Sequence, residues 1–357
     1  MKKLYTSSSH KHWIFPLFLF VGLAFYQCAV KDVEFLDPFN FVNNDFESIG
    51  DLPALNDPDP GPVIPPLAQI VQPEITQVVV SDITGATTPA DITPANQAIL
   101  ADVSEAIADL TPAQQAVFAT EVAGLSAIRI SEILTNEAAL SAEALAAVEA
   151  LLENPEMRAL FPELRLPQPL PPSAELGFEL IEEGLNARIN TLVGPCADAA
   201  RAAYDQAITR ISQNRDSQLA TINANFDRRT QEAATRATNR IAQVNTLYQQ
   251  RLGTVQTIAT SLLVSANAIQ PIDAALATRI RQFTFVYVVS WRTALFAGLA
   301  ADLVAIEAAR LADIAASTNA RNTATATLTA AFNAALTDAN AILNTALNAC
   351  HNQGTGS

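Results

Sequence analysis

The stretch Ile269-Gln270-Pro271-Ile272-Asp273 interrupts an otherwise helical pattern that runs from Cys196 to Cys350. Pro271 is the only proline between those cysteines and lies almost midway between them. On its N-terminal side, apolar or alanine positions recur in steps of three and four at Tyr204, Ile208, Ile211, Leu219, Ile222, Phe226, Ala233, Ala237, Ile241, Val244, Tyr248, Val255, Ile258, Leu262, Ala266 and Ile269. Arg215, Thr230 and Leu252 fill the gaps in register. A recurrence of about 3.6 residues is the signature of one helix face. On the other side the pattern resumes at Leu311, Ile314, Thr325, Leu328, Phe332, Ala335, Ala339, Ile342, Ala346 and Cys350. The spacing predicts two long antiparallel helices that turn near 270–273. Cys196 and Cys350 then stand side by side at the open end, where a disulfide staples the hairpin. Gly253 and Gly298 are the expected kinks.

Composition agrees with an all-α class. Half the residues are apolar, and glycine numbers only 12 in 357. The net charge of −15 argues against nucleic acid as a partner. That charge is uneven. Residues 32–195 carry 26 acids against four arginines, whereas 196–357 carry 13 arginines against ten acids. The acidic half is therefore a candidate to dock on the arginines of the first arm, and solvated helix faces are the competing reading.

The N-terminus reads as an export signal. Lys2, Lys3 and Lys11 precede an apolar run from Trp13 to Phe25, and Gln27-Cys28 follows. This arrangement resembles the signals of exported Bacteroidota-type lipoproteins. The resemblance implies that Cys28 becomes the acylated first residue of the mature chain, with the membrane as partner through that lipid. Without acylation the same run serves as an N-terminal anchor. Either way the chain lies in an oxidising space, where a Cys196–Cys350 bond persists.

Five segments follow: a signal over 1–27, a Pro/Asp-rich tether over 28–75, a small helical domain over 76–163, a Pro-rich hinge over 164–173, and the hairpin over 174–357. In the tether, prolines at 38, 53, 58, 60, 62, 65, 66 and 73 alternate with acids, which predicts an extended segment bonded to water rather than to itself. Phe35, Phe39, Phe41 and Phe46 precede it as a cluster able to pack on something. In the helical domain, Ile92-Thr93-Pro94-Ala95-Asn96-Gln97 is echoed by Leu110-Thr111-Pro112-Ala113-Gln114-Gln115. Each copy places a threonine N-cap before a proline at the first helical position. Helices are expected at 94–108, 112–123, 126–135, 141–152 and 155–161, and again at 174–192. Ile75 to Val80 is a candidate short strand.

Functional chemistry is sparse. Only His10, His12 and His351 are present, no cluster has metal-ligand spacing, and no phosphate loop or nucleophile elbow occurs, so neither enzyme activity nor a cofactor is expected. Composition changes most at the turn end, where Phe283, Phe285, Tyr287, Trp291 and Phe296 make the helix apolar nearly all round. Such a helix is buried, and the ordinary expectation is a head in which it packs on the small helical domain. The functional expectation is a surface left for an envelope partner or a bilayer. Phe283 to Ser290 is also a candidate β-tongue. In outline, a long helical bundle with an apolar tip resembles the helical pore-forming toxins, which implies a membrane-active alternative. The leading expectation is a non-enzymatic, exported, lipid-anchored protein with a structural or interaction role in the cell envelope.

Overall fold

The computed structural model of the chain describes residues 44–169 and 194–351. The expected signal, Cys28, Phe35, Phe39, Phe41 and the helix at 174–192 lie outside the described residues. In chain order the elements are α1 (Asn44–Glu47), β1 (Gln69–Val71), α2 (Glu74–Ile83), α3 (Pro94–Ala108), α4 (Pro112–Ala123), α5 (Ala127–Thr135), α6 (Ala142–Glu153), α7 (Pro155–Arg158), β2 (Glu163–Arg165), α8 (Pro195–Ile269) and α9 (Ala274–His351). The protein is all-α, and the long helices α8 and α9 form an antiparallel pair.

The turn between them follows from local chemistry. Pro271 has no amide to donate, so the helix ends on Gln270 N–H, which still bonds Ala266 O. Asp273 then caps α9, its Oδ1 accepting from Leu276 N–H at 2.9 Å. Both helices run unbroken through Gly253 and Gly298. Gly298 therefore does not break α9. A Cβ there would meet Leu164 Cδ1 at 3.3 Å and Ile70 Cδ1 at 3.7 Å, so its role is to seat a neighbour. That neighbour is a two-stranded ribbon in which β1 and β2 pair antiparallel, Ile70 opposite Leu164. The ribbon ties together the entry and exit of the small helical domain, where the sequence suggested only a tether and a hinge.

The chain divides into two compact units. The first holds described residues 57–169 and 222–323 and is called the head here. In it, α2 to α7 pack with the turn end of α8 and α9 around one apolar core that includes Ile83, Leu100, Phe118, Ile133, Leu262 and Phe285. The repeated Thr-Pro device sets its helix starts. Thr93 and Thr111 accept from the amides of Asn96 and Gln114. Each copy then adds two more bonds, because Gln97 Nε2 donates back to Pro89 O at 2.8 Å and Ile92 O at 2.9 Å, and Gln115 Nε2 to Ala108 O and Leu110 O at 2.7 Å. The candidate strand at 75–80 lies instead within α2. Its Val79, Val80 and Ile83 follow helical spacing into the core, and the Thr76 hydroxyl donates to Leu160 O.

The second unit, the base, holds described residues 44–56, 194–221 and 324–351. Cys196 and Cys350 are bonded here, with Cα atoms 5.8 Å apart. Tyr204 donates to Asn340 Oδ1 at 3.0 Å, and the Arg215 guanidinium lies 4.4 Å from the centre of the Phe332 ring. The latter contact explains an arginine in the apolar register. Phe46, Ile49 and Leu52 are buried on this unit, and Arg210 donates to Ile49 O at 2.7 Å. Near the C-terminus, Leu343 and Leu347 are the buried positions, while Ile342 and Ala346 are half-buried.

Candidate functional site

Of the segment expected to be a solvated tether, residues 57–68 are instead a strap on the hairpin within the head. Its prolines keep it extended, which leaves its own polar groups free to bond elsewhere. Arg229 Nε donates to Asp59 Oδ1 at 2.7 Å, Nη1 to Asp57 Oδ1 at 2.8 Å, and Nη2 to the Asp57 carbonyl at 2.8 Å. Asn225 fills the second Asp57 oxygen at 2.9 Å. The Arg229 and Asp57 side chains are only 4% and 1% exposed. Burial works against the Arg229 charge, yet the bonds to Asp57 and Asp59 outweigh it and push the guanidinium pKa up. Asp59 is held below the usual carboxylate range by the hydrogen bonds from Arg228 and Arg229. The charge asymmetry of the sequence thus resolves, in part, into one acid-on-arginine clamp.

Further along, the strap's own amides meet acids of α9. Val63 N–H donates to Asp313 Oδ1 at 2.7 Å, whose other oxygen accepts from Arg236 Nη2 at 2.8 Å. Ala68 N–H donates to Asp302 Oδ1 at 2.6 Å. Burial raises the Asp302 carboxyl, against the opposing pull of that amide and of Arg251 and Arg240. Around the Val63 contact, strap and hairpin flank a half-open groove of about 310 Å³. A larger cleft of about 590 Å³, with Phe118, Val122 and Arg281 on its walls, lies between α3, α4 and the turn.

Sequence reasoning did not foresee Asp57, Arg229, Asp302 and Asp313 as a set. A signal was present: Arg229 falls seven residues after Ile222 and four before Ala233, on the buried stripe rather than beside it. Asp313 likewise continues the stripe of Ile306 and Ala309. A charged residue at a seam position predicts a partner, and the acids of Asp57-Pro58-Asp59 supply it for Arg229.

The aromatic residues singled out in the sequence converge inside the head. Phe283, Phe285 and Tyr287 are fully buried, Trp291 is 8% exposed, and Phe296 is partly buried. Phe285 meets Phe118 edge-on at 5.0 Å, Phe283 meets Phe161 at 5.7 Å, and Tyr287 meets Trp291 at 6.3 Å. In this conformation Phe283, Phe285, Tyr287 and Trp291 face the interior of the head, the first two against rings of the small helical domain. Phe283 to Ser290 is helical, not a β-tongue. The core is polar in one respect. The Tyr248 and Tyr287 hydroxyls, Trp291 Nε1, Ser290 Oγ and Arg292 Nε are buried without a partner at hydrogen-bond geometry. Arg292 is secured by donating to Glu137 O at 2.5 Å and by lying 5.1 Å from the Phe296 ring centre. Burial pushes the Tyr287 hydroxyl up to about 12, with the Trp291 and Gln72 side chains pulling the other way.

Among the described residues, no group of three His, Cys, Asp or Glu side chains gathers as metal ligands would. One helix, Pro195–Ile269, has a window of mean hydropathy 1.3 that is long and apolar enough to cross a membrane, and 44% of that window is buried. The core helix of a soluble protein meets the same criterion. Comparison with protein families, curated proteins and solved structures finds no match.

Proposed function

We propose that the chain is an exported, lipid-anchored protein without catalytic activity of its own, with a structural or protein-interaction role in the cell envelope. The observation that carries this reading is the cysteine usage. Two of three cysteines join the ends of the hairpin, and the third, Cys28, follows an apolar run of export type. A bond closing so long a loop persists in an oxidising space and not against cytosolic thiols. The inward-turned aromatics add support, since insertion of the turn end into a bilayer would require Phe283, Phe285 and Tyr287 to leave the core that they fill.

A peptide mass map of protein purified from membranes, with and without reductant, tests the reading. The expected result is a Cys196–Cys350 linked peptide that disappears on reduction, together with an acylated N-terminal Cys28. Free thiols at Cys196 and Cys350, or an unmodified Cys28 behind an intact Met1, would contradict it. Trp291 emission should not move when liposomes are added; a blue shift would favour the membrane-active alternative.

A further inference from the structure

We propose that the cleft between α3, α4 and the interhelix turn is a binding site for the free carboxyl end of a peptide whose last residues are apolar. This inference stands apart from the export and anchoring proposed above. At about 590 Å³ the cleft lies within the size range of ligand pockets. It is half-open, which suits the end of a longer chain. Its two walls differ in chemistry. Ile107, Ala108, Ala119 and Val122 of α3 and α4 make one side apolar, and the alanines leave room there for an aliphatic side chain. Gln270, Thr278 and Arg281 make the other side polar.

The polar wall sets the sign of the occupant. Among the described residues, Arg281 is the one charged side chain that lines the cleft. Its Nη2 donates to two neutral acceptors, Asn267 Oδ1 at 2.5 Å and Gln270 Oε1 at 3.2 Å, which fix the guanidinium in place. Nε and Nη1 make no such bond among the described residues, and neither is closed to water. A carboxylate arriving there meets a cation that is already positioned and has no acid bonded to it. A charge-assisted bond of that kind is among the stronger hydrogen bonds in proteins. The neighbours suit a peptide group better than a bare hydrocarbon. Gln270 accepts through Oε1, so its Nε2 can donate to a peptide carbonyl. Thr278 donates to Ala274 O at 2.8 Å, so its Oγ1 can accept from a peptide N–H. A carboxylate on Arg281, an amide against Gln270 and Thr278, and an aliphatic side chain on Ile107 and Val122 together use both walls.

Calorimetric titration of the full chain with N-acetyl-leucyl-leucine tests the proposal. The comparison probes are its C-terminal amide, which lacks the charge, and decanoate, which keeps the carboxylate and an apolar tail but has no peptide group. The expected result is one acid peptide per chain, with the amide and decanoate weaker by about tenfold or more, the scale of one hydrogen bond to a charged group. Arg281→Gln should weaken the acid peptide by a similar factor and leave the amide unchanged. Ala119→Trp, which fills the cleft from an exposed position on α4, should abolish binding. That variant leaves Arg281 and its partners in place, so lost binding with an unchanged urea midpoint reports on the cleft and not on the fold. Equal binding of acid and amide, equal binding of decanoate, no binding of the acid peptide, or binding indifferent to either substitution would each overturn the proposal.

Discussion

In the base, the helix pair buries Ala197, Ala200, Ala203, Ala207 and Ala339 beside a few larger side chains, Ile211, Leu328, Leu343 and Leu347, whereas in the head the same helices bury Leu262, Phe283, Phe285 and Tyr287. An alanine methyl removes far less apolar area from water than a phenylalanine ring, so burial contributes much less per residue in the base. Two devices offset this. Phe46, Ile49 and Leu52 add larger apolar side chains, and the Cys196–Cys350 bond closes a sequence separation of 154 residues. From chain entropy alone, such a loop contributes about 4–5 kcal/mol. The comparison teaches that the covalent link sits in the unit whose helix pair buries small side chains, while the head rests on packed rings.

That contrast can be broken from the head side first. Phe285→Ala removes a ring that packs edge-on against Phe118 and should cost about 4 kcal/mol, read from the midpoint of urea unfolding. The disulfide-held base should keep its helical signal under conditions that unfold the variant head.

Asp57→Ala comes next. It leaves the buried Arg229 charge without its enclosed partner, and breaking a buried pair costs about 3 kcal/mol or more. The exposed neighbour should matter less, so Asp59→Asn should shift the same midpoint by a smaller amount. Asp59 also sets a pH dependence. Its folded carboxyl titrates below its ordinary value of 3.8, so its contribution to strap docking is complete above that value. It is lost as pH falls through the lowered folded pKa. Hydrogen exchange of the Val63 and Ala68 amides, measured stepwise into acid, should therefore accelerate relative to the head's core amides.

The smallest effect is expected at Tyr287→Phe. The hydroxyl has no well-placed partner, so its loss should change stability at neutral pH by less than about 1 kcal/mol. The alkaline range is different. A tyrosine that ionises near 10 when unfolded and near about 12 when folded makes stability fall as pH rises between those values. Tyr287→Phe should flatten that part of the stability curve.

Much of the architecture was legible because it is local. Caps at Thr93, Thr111, Ser126, Ser141 and Asn154 all act where a polar residue precedes a helical pattern, so the starts of α3 to α7 follow from sequence. The turn at Pro271 is legible for the same reason. The strap was not, because extended proline-rich chain looks alike whether solvated or docked, and docking is decided by partners some 170 residues away. The three-residue strands β1 and β2 are too short for an alternating pattern, and Gly298 looks like a helix flaw until its neighbours Ile70 and Leu164 are known. Register also drifted at the end of α9, where alanines on every face leave Ile342 and Leu343 equally eligible for the seam.

The most direct test of this account is hydrogen exchange by mass spectrometry on oxidised and reduced protein. The prediction is that reduction accelerates exchange across 197–221 and 324–350 while amides in the head core, around Phe118, Leu262 and Phe285, keep their protection. Equal acceleration in both units, or none in the base, would contradict the claim that the disulfide holds one region and side-chain packing the other.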